Sequence, residues 1–418
     1  MSSRRWSNTQ LGTRSRASAC GVIWGVLLWV VVCFMNPVTG ATREGPQPPR
    51  SDRSADGASQ EADSPPSPDE QSQAPLFRSE INFVRVDAIV TDDDGNPVLD
   101  LTEDDFEIFD LGDFRFQCGE VLPCAKLAYQ TYGKLNADKS NLILVPSAYL
   151  GDHHGFDFIM SNGKALDPDN YFIVATDMFQ NGLSSSPSNT PPPYSGPHFP
   201  LISIRDNVNA GYRLVTEEFG VEHIKAVIGF SMGAQQAFQW AVSYPDFMDA
   251  VVGIAGSAVE YPHGFIRLEG FKSAIRADAA YADGNYSEPP VVGLKAGGTH
   301  WASWITSQEW YRLGLYREMG YESPLGMINR MQEMVMSWDA NDLLALASTW
   351  QNNDVGETPG FGGDSEKALG SIKARVLYMP AETDMYFHID ALRRESQLIP
   401  GVKLVVIPTL WGHLAADP

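Results

Sequence analysis

The sequence predicts an α/β fold, a mostly parallel sheet flanked by helices, on three observations. Apolar runs suited to buried strands recur after residue 111: NLILVPS, YFIVATD, HIKAVIGFS, MDAVVGIAG, ARVLYMP and VKLVVIP. Helix-like and Gly/Pro-rich stretches separate them, the alternation expected of parallel strands joined by crossover helices. At the third run, strand passes into helix through Gly229-Phe230-Ser231-Met232-Gly233, a G-x-S-x-G spacing that lifts one hydroxyl above a sheet edge.

Taken in chain order, the first 41 residues have the layout of a targeting segment. Arg4, Arg5, Arg14 and Arg16 precede the apolar run CGVIWGVLLWVVVCFM, and Val38-Thr39-Gly40-Ala41 follows it. At 16 residues the run is short for a membrane span, which favours a cleaved signal peptide over a retained anchor. The expected location is periplasmic or extracellular; it becomes membrane-anchored if the segment is kept, and cytoplasmic if the segment does not function. Residues 42–76 turn to Pro, Ser, Gln, Asp and Glu and read as a disordered linker that cannot bury enough apolar surface to fold. Residues 77–110 alternate Val and Ile with polar residues around a D-G-N-P turn, the pattern of a small β-hairpin module. That segment resembles the lead-in of bacterial secreted proteins related to von Willebrand factor A domains, without the metal-binding domain expected to follow.

The catalytic domain is expected over 111–418. Cys118 and Cys124 in FQCGEVLPCAKLAY are spaced for a hairpin disulfide in an exported domain, or stand as two free thiols. Between about 261 and 370 the strand pattern stops, and aromatic helical sequence with Trp301, Trp304, Trp310, Tyr311 and Trp338 reads as a helical lid. Its aromatic residues are expected chiefly to pack a core. The formal charge of −22 excludes a nucleic-acid partner, because phosphate contacts need clustered Lys and Arg and none follows residue 16. Much of that acidity is local: residues 42–110 carry 18 Asp and Glu against 5 Arg.

A serine nucleophile needs a base, and the base needs an acid to orient it. In an α/β-hydrolase fold these follow in the order serine, acid, histidine. Ser231 is followed by Asp384, just past ARVLYMP, and by His413, just past VKLVVIP. Both sit where sites in open α/β sheets lie, beyond strand C-termini. The oxyanion needs two backbone donors. Met232 supplies one, and the loop PSAYLGDHHG offers Tyr149 or Leu150, with Gly151 letting the backbone turn inward. His153 and His154 are adjacent and lack a carboxylate cluster in sequence, a poor metal set.

The blocks LAYQTYGKLNADKSN, NGLSSSPSNTPPPYSGPHFPLISIRDNV, GFSMGAQQAFQWAVSYPD, AIRADAAYADGNYSEPPVVGL, WDANDLLAL and ETDMYF resemble successive blocks of the homoserine O-acetyltransferase family, from about residue 110 to the end. The resemblance implies an α/β-hydrolase core with a helical lid, Ser231 as acyl carrier, Asp384 and His413 completing the triad, and Tyr149 with Met232 at the oxyanion. It also implies an arginine that holds the homoserine carboxylate and an aspartate that meets its amine. This chain has Gly297 and Leu414 at those places, and the resemblance further implies a terminal helix, whereas the sequence runs five residues past His413.

The function expected is serine-dependent acyl transfer that is inefficient on homoserine. One alternative is an exported esterase-type hydrolase using water, and another is a catalytically inert secreted or surface protein. No bound cofactor or metal is expected; acetyl-CoA or another acyl thioester is a candidate co-substrate. The expected partners are a small-molecule acyl donor and acceptor, with a homodimer left open and membrane contact only through an uncleaved N-terminal segment.

Overall fold

The computed structural model describes residues 106–416. The targeting segment, the linker and the 77–105 part of the hairpin module lie outside the described residues. By contacts the chain divides after Val98, and every described residue belongs to the second unit. Among the described residues, no helix is long and apolar enough to cross a membrane.

The sheet contains β1 (Glu107–Arg115), β2 (Val121–Tyr132), β3 (Leu142–Pro146), β4 (Phe172–Thr176), β5 (Ile224–Phe230), β6 (Met248–Ile254), β7 (Arg375–Met379) and β8 (Lys403–Leu404). Their order is β1-β2-β4-β3-β5-β6-β7-β8. The β1–β2 and β2–β4 pairings are antiparallel and the other five are parallel. Both β3 and β4 are buried at every position, as strands covered on both faces must be. The chain leaves β3 toward β4 on one side and returns to β5 on the other. The sheet therefore reverses its growth between β3 and β5, and a crevice opens at their C-terminal ends.

Two sequence expectations change here. The boundary drawn at 110 cuts through β1, since Glu107 already pairs with Tyr129. Acidic Glu107 and Asp110 mask a strand that buries Phe109 and Leu111. A Cys118–Cys124 disulfide is not formed. The turn closed by Phe116 N–H on Glu120 O at 2.9 Å puts Cys118 near its tip while Cys124 lies inside β2, and both thiols are free and exposed.

Helices cover the sheet. After β4 comes α1 (Ile204–Arg213), whose capping box pairs Ser203 with Asp206. Next, α2 (Met232–Ser243) follows β5 directly and buries 11 of its 12 residues. Between β6 and β7 the chain builds α3 (Pro262–Arg276), α4 (Val291–Ala302), α5 (Gln308–Leu313), α6 (Leu325–Met336), α7 (Ala340–Gln351) and α8 (Ser365–Gly370), and α9 (Ile389–Ser396) lies between β7 and β8. Trp301, Trp310 and Trp350 of this insertion are almost fully buried.

The β5–α2 junction tolerates no side chain at its glycines. A Cβ at Gly229 would lie 2.0 Å from Gly233 O, a backbone atom that cannot rotate away. Overpacking costs about 1–3 kcal/mol, so Gly229→Ala is expected to lose stability at the upper end of that range, read as a lower urea midpoint. An unchanged midpoint would show that the junction can yield.

Candidate active site

Ser231 sits between β5 and α2 at φ 55°, ψ −122°, a conformation costly for any residue with a Cβ. Neighbouring backbone holds it there. Its N–H donates to Ile254 O at 2.9 Å, and its carbonyl accepts from Ala234 N and Gln235 N. Three glycines make the close approach feasible. Besides Gly229, a Cβ on Gly233 would lie 2.6 Å from Pro146 O, and one on Gly256 would lie 2.4 Å from Ser231 O. The G-x-S-x-G spacing identifies the first two; Gly256 follows the next strand and carries no local signal.

The three residues proposed from chain order meet above the sheet. His413 Nε2 is 2.9 Å from Ser231 Oγ, and His413 Nδ1 is 2.7 Å from Asp384 Oδ2. Asp384 Oδ1 accepts from the N–H groups of Tyr386 at 2.8 Å and Phe387 at 3.3 Å, which fixes the carboxylate's orientation. Ser231, Asp384 and His413 are 3 %, 2 % and 6 % exposed, so solvent screens their interactions little. The His413 N–H donates to Ile305 O at 2.9 Å, and its ring packs against Phe230, Tyr386 and Phe387. With Nδ1–H donated to Asp384, Nε2 is free to take the Ser231 proton, and the acid stabilises the imidazolium that results.

The side expected to hold the oxyanion combines the start of α2 with the loop after β3. Met232 opens α2, where an amide has no carbonyl partner in a preceding turn. After β3, Leu150 adopts φ 59°, and Tyr149 and Leu150 both line the cavity beside Ser231. The Tyr149 side chain is engaged by the lid: its hydroxyl donates to Leu343 O at 3.1 Å, and its ring packs on Phe271, Trp301 and Trp350. Only its backbone is left to serve an oxyanion. The loop is pinned by Ser147 N–H on Thr176 O at 2.8 Å, by Met178 N–H on Ser147 Oγ at 3.0 Å and by Gln236 Nε2 on Ser147 O at 2.9 Å. A fourth tie is His153 Nδ1 to Asp177 Oδ2 at 2.7 Å. Burial pulls the His153 pKa down, yet the hydrogen bond and charge of Asp177 outweigh it and leave the value raised. His154 instead pairs with Asp157 at 2.8 Å, so the adjacent histidines serve separate carboxylates.

A cavity of about 150 Å3 adjoins Ser231 and His413. Its apolar wall includes Leu150, Phe230, Trp301, Met331, Trp350 and Leu414. Trp301 thus both packs the core and faces the cavity. Leu414 stands beside His413 where an amine-binding aspartate was expected. At Gly297, a Cβ would already lie 2.8 Å from the Phe271 ring, and at the next residue, Gly298, one would lie 2.5 Å from Gln332 Cα. Helix α4 therefore packs on α3 and α6 through glycine, leaving no room for an arginine side chain without displacing them.

Sequence reasoning missed a buried polar group behind this wall. The Arg267 guanidinium lies over the rings of Trp301, Trp350 and Tyr386, and Glu260 accepts from Trp350 Nε1 at 2.7 Å. Glu260 precedes α3 and has no local signal; for Arg267 the only one available is a charge among the buried positions Gly264, Leu268, Phe271 and Ile275 of that helix. Burial pushes the carboxyl of Glu260 up to about 8, that of Glu395 to about 7 and that of Asp342 to about 7.

These three carboxyls have folded-state pKa values above their unfolded ones. The stability they contribute is fully present below the unfolded carboxylate range and is lost as pH rises through about 7 to 8. The thermal midpoint is therefore expected to fall between about pH 5 and about pH 8.5, with a shallower fall in Glu260→Gln. A midpoint that rises over this interval would contradict the assignment.

Comparisons with known proteins place the fold in a family. Residues 141–417 fit the family model described as alpha/beta hydrolase fold. The ethyl acetate hydrolase of Pseudomonas veronii is 39% identical over 313 residues, covering 74% of this chain and 89% of that one. A homoserine O-acetyltransferase of Chlorobaculum parvum is 30% identical over 331 residues, covering 76% and 91%. The crystal structure of an acetylester hydrolase from Corynebacterium glutamicum superposes with a TM-score of 0.72 at 38% identity, covering 74% of this chain and 90% of that one. The comparisons do not reproduce the resemblance of residues 77–110 to von Willebrand factor A-related proteins.

Proposed function

The chain belongs to the alpha/beta hydrolase fold family, whose relatives here are esterases and acetyltransferases, and we propose that it is a serine esterase acting on small, uncharged acyl esters with water as acceptor. The observation that carries this reading is Leu414 in the cavity wall beside His413, where an amino-acid acceptor would need a carboxylate for its amine. Gly297, closed off by Phe271, removes the matching cation. A bidentate carboxylate contact is not replaced by glycine.

The reaction follows from the distances. His413 Nε2 takes the Ser231 proton as Oγ attacks the ester carbonyl carbon. The carbonyl oxygen gains negative charge and is met by the Met232 N–H and by that of Tyr149. His413 then donates its proton to the departing alkoxide, which leaves as alcohol with Ser231 acylated. Water enters, gives a proton to His413 and attacks the acyl carbon, and Ser231 is restored as the carboxylic acid leaves. No resident cofactor is required. An acyl thioester such as acetyl-CoA could acylate Ser231 by the same steps, so transfer to an alcohol is the second reading, supported by the acetyltransferase relative. Export through the N-terminal segment would favour water, since acyl thioesters of coenzyme A are not expected outside the cytoplasm. The hydrogen-bonded Ser231–His413–Asp384 array weighs against an inert protein.

Fluorophosphonate labelling and p-nitrophenyl acetate hydrolysis test the nucleophile. Ser231→Ala is expected to abolish labelling and to lower kcat at least about a thousandfold, and equal labelling of variant and wild type would refute the assignment. The acceptor is tested with acetyl-CoA in the presence and absence of L-homoserine. Each missing charge-assisted contact costs about 1.5–3 kcal/mol, so homoserine capture is expected to be weaker by roughly two to four powers of ten than with both contacts present. Homoserine-dependent release of coenzyme A that outpaces ester hydrolysis would overturn water as the acceptor.

A further inference from the structure

Arg267 is 2 % exposed, and its Nε, Nη1 and Nη2 have no hydrogen-bond partner. Such a cation is costly to bury unless something offsets its lost hydration. Here the offset is aromatic. The guanidinium carbon lies 4.4 Å from the Tyr386 ring centroid, 4.5 Å from that of Trp350 and 5.1 Å from that of Trp301, all within cation–π range. The other face of this wall is the site itself: Tyr386 lies 4.5 Å from the His413 ring by centroids, and Trp301 and Trp350 line the cavity. One aromatic layer therefore separates a buried positive charge from the imidazole that must accept a proton.

We propose that Arg267 is a positioning residue for His413: through Tyr386 it fixes the surface on which the imidazole rests, and it holds a positive charge one aromatic ring away from that imidazole. This rests on the esterase reading above. The titratable groups facing Arg267 are Glu260 from the segment before α3, Tyr149 from the loop after β3, and Asp384 and Tyr386 after β7; His300 of α4 lies 2.9 Å from its carbonyl oxygen and also feels the guanidinium charge. Asp384 is committed to His413. Burial raises Tyr149 well above its ordinary value, so its phenol stays neutral. The closest carboxylate oxygen, Glu260 Oε1, is 3.9 Å from Nη2. Burial holds that carboxyl up to about 8, so near the ordinary histidine range, about 6.5, Glu260 is mostly protonated and leaves the guanidinium field largely uncancelled.

The test is the pH profile of kcat/KM for p-nitrophenyl acetate in wild type, Arg267→Met and Arg267→Lys. Removing the cation is expected to move the acid limb of Arg267→Met upward by about 0.5–1 pH unit, the scale of one charge acting through a partly screened interior. Arg267→Lys keeps the charge, and its limb is expected to stay with wild type while kcat falls through the lost planar stacking. Arg267→Gln repeats the measurement should the methionine variant not fold, with the same upward shift expected. Merely structural damage would lower rates without moving the limb. A wild-type limb in the folded neutral variant overturns the proposal while leaving the esterase reading intact. Absence of both ester hydrolysis and Ser231 labelling in wild type would instead overturn that reading.

Discussion

The close approach of backbone to backbone at Gly229, Gly233 and Gly256 is the constraint on which the rest of the site depends. It allows β5 to end in Ser231 at positive φ and α2 to start at the next residue. A non-glycine residue in such a region stores about 1–3 kcal/mol of strain. The surrounding fold bears it, because α2 is almost wholly buried and Ser231 is tied at both its N–H and its carbonyl. The reward is geometric: one turn places the Ser231 hydroxyl and the first amide of a helix side by side.

Sheet order supplies the other half of the crevice. β3 lies beside β5 with β4 on its far side, so the loop after β3 opens next to Ser231. Ties from Ser147 to the end of β4 and from His153 to Asp177 hold that loop. Its amides are thereby set in place before any substrate arrives, which is the condition for electrostatic stabilisation without reorganisation. Asp384 and His413 arrive from beyond β7 and β8, and the same sheet that orders these strands sets their separation from Ser231.

The helical insertion decides what can enter. Its glycines at 297 and 298 let α4 pack closely on α3 and α6, and its tryptophans face both core and cavity. The result is a small apolar chamber bounded by Leu414 and backed by a buried cation and a mostly protonated acid. On the proposed esterase reading, chamber size and the lack of a paired clamp at Gly297 and Leu414, rather than the triad, separate a small ester from a zwitterionic acceptor.

Most parallel strands were legible from residue order, because NLILVPS, YFIVATD, HIKAVIGFS, MDAVVGIAG and ARVLYMP are continuous apolar runs and a strand buried on both faces must be one. VKLVVIP was read longer than it is: only Lys403–Leu404 form the strand. The β1–β2 hairpin escaped, since alternating acidic and apolar residues look alike in an exposed edge strand and in a separate module. Ser231, Asp384 and His413 were legible too, because their places at strand ends in a fixed chain order are local facts about the sequence. Gly256, Arg267, Glu260 and the closure of Gly297 by Phe271 were not. Each takes its meaning from atoms distant along the chain, and which helix approaches which ring is decided only when the insertion packs onto the sheet.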